Sequence, residues 1–69
     1  MNEEVMNFQL RKFLKTVGVS SQREIERAVR DAVANGTITG EEALQAKMTL
    51  LIPAVGLEFE VSGAIELSD

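Results

Sequence analysis

The sequence predicts an α+β fold, a two-helix hairpin packed on one face of a small two- or three-stranded antiparallel sheet, in the order α-α-(β)-β-β. Three observations carry it. Apolar residues recur at helical spacing through the first half of the chain. A glycine followed by a capping signal divides that half in two. Strict alternation of apolar and polar residues then takes over in the last third.

In the first helix, Met6, Leu10, Phe13, Leu14 and Val17 define one apolar stripe. Gly18 reads as its left-handed stop, so the helix runs from about Asn2 to Val17. Ser21 and Glu24 match the S-x-x-E capping box that opens a second helix. Ile25, Ala28, Val29, Ala32 and Val33 form its stripe, and Asn35–Gly36 closes it. Glu26–Arg30 and Arg27–Asp31 are i,i+4 pairs of opposite charge on its outer face.

Gly36–Gly40 is bracketed by glycines and has room for a very short strand around Ile38; Glu41–Gln45 reads equally as a helical turn or an irregular connection. Next, Met48, Leu50 and Ile52 alternate with Lys47, Thr49 and Leu51. Leu57, Phe59 and Val61 alternate with Glu58, Glu60 and Ser62, and Ile65 and Leu67 continue the pattern. Gly63 reads as a bulge or a close approach. With Pro53–Gly56 as the turn, Ile52 pairs with Leu57, Leu50 with Phe59 and Met48 with Val61. Thr49 then faces Glu60 and Lys47 faces Ser62, with Lys47 diagonal to Glu60. A slip of one residue would carry Glu58 or Glu60 into the apolar face, so this register is favoured.

The whole is one domain, residues 1–69, without repeats, linkers or low-complexity segments. At 7.6 kDa a closed monomer would expose roughly 4,300 Å². That is small enough for dimerisation or very good packing to matter. The chain has no Cys, His, Trp or Tyr. Disulfides, thiolate zinc sites, Cys or Ser-His nucleophile systems and the usual proton shuttle are thereby excluded. No phosphate-loop, dinucleotide-binding or H-E-x-x-H signature is present. The N-terminal twenty residues are not a signal peptide, and no apolar run approaches a membrane span. A soluble, cytoplasmic protein is expected, with no cofactor, metal or small-molecule substrate.

The formal charge of −4 is unevenly spread. Residues 1–30 hold six bases and four acids, and residues 31–69 hold one base and seven acids. Lys12, Lys15, Arg23, Arg27 and Arg30, with Arg11 at the edge, point away from the apolar stripes and form a candidate polyanion contact. A DNA-binding helix-turn-helix register aligned on Gly18 fails. It would place Glu24 and Arg27 where the second helix needs core residues. Glu58, Glu60 and Glu66 make a carboxylate row, expected on the wet side of an antiparallel sheet. Val5 and Phe8 lie opposite the main stripe of the first helix, so that helix asks for two covers, either the second helix and the sheet of the same chain or a second copy; they are the candidate partner or dimer contact.

The opening segment MNEEVMNFQLRKFLKTVGVSSQREIERAVRDAV and the later KMTLLIPAVGLEFEVSGAIEL resemble a family of short bacterial, mainly proteobacterial, proteins of unknown function. The resemblance covers nearly the whole chain and implies a bacterial, cytoplasmic, self-contained domain. It carries no site residues. The expected function is a non-enzymatic protein-interaction module whose partner is another protein or a second copy in a homodimer. The alternative is a nucleic-acid-associated regulator using the basic helix face. An enzyme built on the glutamate row ranks third.

Overall fold

A computed structural model describes all of residues 1–69. The element order is α1 (Glu3–Ala34), β1 (Ala43–Ile52), a single 3-10 turn (Pro53–Val55) and β2 (Leu57–Glu66). The chain divides into two compact units, Met1–Thr37 and Ile38–Asp69.

The first unit corrects the expected fold. It holds one helix of 32 residues, not a helical hairpin. The class stays α+β, but no turn forms at Gly18. The reason lies in the competing costs. Val17–Ser21 is a poor helix former, and Gly18 costs about 1 kcal/mol relative to alanine. Ending the helix there would strand about four carbonyls and four N–H groups on either side of the break. Glycine stops a helix by taking positive φ, and Gly18 does not. With no proline before Pro53, nothing else forces an end.

The true N-cap is Asn2. Its backbone is extended, and Val5 N–H donates to its Oδ1 at 3.1 Å. Glu3 and Glu4 complement the positive end of the helix. The Ser21–Glu24 capping box therefore has no helix to open. Glu24 instead pairs with Arg27 one turn on, replacing the expected Arg27–Asp31 pair. Glu26–Arg30 forms as expected, at 3.2 Å. At the C-terminus Asn35 is the cap and Gly36 takes φ +82, as its position in the sequence predicts. Thr37 N–H closes this end on the Ala32 carbonyl at 2.9 Å.

In the second unit, β1 and β2 form a two-stranded antiparallel sheet. The register is the expected one throughout: Ile52 pairs with Leu57, Leu50 with Phe59, Met48 with Val61, Thr49 with Glu60 and Lys47 with Ser62. Lys47 Nζ lies 3.9 Å from Glu60 Oε1, the expected diagonal. Pro53 opens the turn, and Gly56 closes it at φ +66, its N–H donating to the Pro53 carbonyl at 3.1 Å. Two details differ. Gly63 pairs in register with Ala46, so there is no bulge. The optional third strand at Thr37–Thr39 does not form: the Thr37 N–H is taken by the Ala32 carbonyl and the Thr39 N–H by the Glu42 carboxylate. Thr39 and Gly40 N–H donate to it at 2.8 and 2.9 Å, and Glu41 N–H at 3.1 Å.

Neither unit encloses a core. No residue of the chain is buried. A single helix has no interior for side chains, and a lone hairpin is marginal in water without something on its apolar face.

Candidate interaction surface

The continuous helix creates a feature that the two-helix reading hides. Leu10, Leu14, Val17, Ser21, Ile25, Ala28 and Ala32 follow one another at steps of 4, 3, 4, 4, 3 and 4. At about 100° per residue they all fall in one band roughly 80° wide. This is an 11-residue periodicity, which runs nearly straight along a helix. The seam is about 33 Å long at 1.5 Å per residue. Val17, Ser21 and Ala32 are half-buried, while Leu14 is 57% exposed. The unbroken phase of this spacing across residues 18–21 is the signal in the sequence that marks one helix.

Val5 and Phe8 lie about 140–160° around the helix from the seam. Phe8 is 64% exposed. The expectation that α1 carries apolar side chains on opposite sides therefore holds in the helix as it stands.

The continuous helix also aligns the cations. Lys12, Lys15, Arg23, Arg27 and Arg30 fall in one band about 120° wide on the far side from the seam, and Lys12 and Arg30 are about 27 Å apart along the axis. Arg27 and Arg30 are paired with Glu24 and Glu26. Lys12, Lys15 and Arg23 have no carboxylate partner.

On the hairpin, Met48, Leu50, Ile52, Leu57, Phe59 and Val61 share one face with Leu44 and Ile65. Phe59 and Val61 are exposed. The opposite face carries Glu58, Glu60 and Glu66, with Glu60 beside Lys47. These carboxylates make no cluster able to hold a metal ion.

One polar site was missed in the sequence. Glu42 gathers the backbone N–H groups described above and the Thr39 hydroxyl, at 3.0 Å. These bonds, the Thr39 N–H first among them, hold its carboxyl down at about 2, against a weaker opposing push from burial. Glu42 fixes the start of β1, where the Leu67 N–H also donates to its carbonyl at 3.2 Å.

No helix is long and apolar enough to cross a membrane. No curated protein and no solved structure matches the chain. Residues 1–68 match a family of unknown function, DUF6494, and the chain belongs to that family.

Proposed function

We propose that this chain is a non-enzymatic protein-interaction module of the bacterial cytoplasm and that it associates with itself through α1. One observation carries the reading: α1 presents apolar side chains on opposite sides, whereas the hairpin offers a single apolar face. A second copy covers one of these sides, and Val5 and Phe8, on the other, are offered to a protein contact. The absence of Cys and His supports a role in binding rather than catalysis. Light scattering over a concentration series tests this. The mass expected is about twice 7.6 kDa; a mass of 7.6 kDa at every concentration would remove the reading.

A second reading is supported by the alignment of Lys12, Lys15 and Arg23 along one side of a single helix. They carry no ion pairs and suit a contact with a nucleic-acid backbone. A gel shift at low salt with duplex and single-stranded oligonucleotides tests it. No retardation would eliminate it.

A further inference from the structure

We infer that a second copy of this chain docks antiparallel on the seam of α1, about a two-fold axis at Ser21. The inference rests on the self-association reading and specifies its geometry.

The seam is self-complementary in one direction only. Its steps read the same from either end, so reversing one copy about Ser21 keeps every seam position opposite another. Leu10 then faces Ala32, Leu14 faces Ala28, and Val17 faces Ile25. Large residues meet small ones at the outer levels and the β-branched Val17 and Ile25 meet near the centre, so that no level sets two leucines together. A parallel pair would set Leu10 on Leu10 and Ala32 on Ala32, crowding one end and leaving a gap at the other. On the axis itself, Ser21 meets its own symmetry mate. Each hydroxyl is both a donor and an acceptor, so the two satisfy each other. Such an isologous contact closes at two copies.

Within its own unit nothing covers the seam: Leu10, Leu14 and Ile25 are all exposed, and a docked second copy would shield them.

The chain contains no cysteine, so single thiols report unambiguously. Ser21→Cys is expected to form a disulfide-linked dimer on mild oxidation, since a two-fold axis at this residue brings the two α-carbons within about 7 Å; a parallel pair in register would do the same, and the Leu10 thiols separate the two. Leu10→Cys mixed with Ala32→Cys is expected to give the mixed dimer, and Leu10→Cys alone none, its two thiols lying about 33 Å apart along the pair. Circular dichroism checks that each variant keeps its helix. Leu14→Glu should reduce the mass to that of one chain, while Phe8→Glu should leave it doubled. Efficient Leu10–Leu10 cross-linking would overturn the antiparallel seam. So would a dimer by light scattering whose Ser21→Cys form does not cross-link, or one broken by Phe8→Glu and not by Leu14→Glu. In those cases self-association stands and only its geometry fails. A monomer at every concentration removes both.

Discussion

Glu42 shows what one side chain decides at the junction before the hairpin. Its carboxylate accepts from Thr39, Gly40 and Glu41, and so takes the Thr39 N–H away from any strand at Thr37–Thr39. The folded carboxyl titrates near 2, below the ordinary value of 4.5. A depressed folded value means that its stabilising contribution is present above about 4.5 and is lost as the pH falls from there towards 2. Carbon-detected NMR of the Glu42 carboxyl should show a midpoint near 2. Glu42→Gln should loosen residues 39–42 at neutral pH, and its amide exchange there should lose the acid dependence seen in the parent. A Glu42 midpoint near 4.5 would contradict the geometry. This site was not legible in the sequence, because a carboxylate that binds N–H groups one to three residues before it has no signature beyond ordinary turn composition.

Among the elements, the hairpin was legible in its register and turn but not at the start of β1 or at Gly63, and the helix only at its ends. Alternation fixes a register when a slip of one residue costs buried carboxylates, and Glu58 and Glu60 impose that cost on either side of Phe59. Asn2 and Gly36 were also readable, since one is a good acceptor for free N–H groups and the other alone tolerates φ +82 cheaply. Gly18 was not. Glycine lowers the cost of a left-handed stop and also, less steeply, tolerates a helical interior; residue type alone does not choose between them. The choice is made over a longer range, by the seam that keeps its phase from Leu10 to Ala32. The consequence is measurable. A Cβ built at Gly18 meets no atom within 4 Å, and the residue has no positive φ. Gly18→Ala should therefore stabilise the protein by about 1 kcal/mol in a denaturant melt. Were Gly18 a left-handed cap, the same change would destabilise it by about 1–2 kcal/mol.

For the molecule as a whole, the central physical fact is apolar surface without a cover inside either unit. The expected basic and acidic halves persist in the two units. Met1–Thr37 carries six bases against five acids, and Ile38–Asp69 carries one base against six acids. Two kinds of association can therefore be separated by salt. A contact between the basic helix of one copy and the acidic hairpin of another weakens as ionic strength rises and the Debye length shrinks from about 10 Å at 0.1 M to about 3 Å at 1 M. The seam contact is apolar and should persist. Sedimentation equilibrium at both salt concentrations is expected to give the same dimer constant within about twofold. Spacing alone puts the Val5/Phe8 side and the cation band away from the main stripe, and a continuous helix over these residues keeps them there. What spacing within two presumed helices concealed was their alignment along one helix.

The continuity of α1 is the claim on which the seam, the cation band and the two-sided helix all depend. The most direct test is a pulsed electron–electron distance between nitroxides at Lys12→Cys and Arg27→Cys of the same chain, diluted into unlabelled protein. Fifteen residues of unbroken helix predict a distribution centred near 22 Å. A distance collapsing to the roughly 8–10 Å of neighbouring antiparallel helices would show a turn at Gly18 and contradict the account.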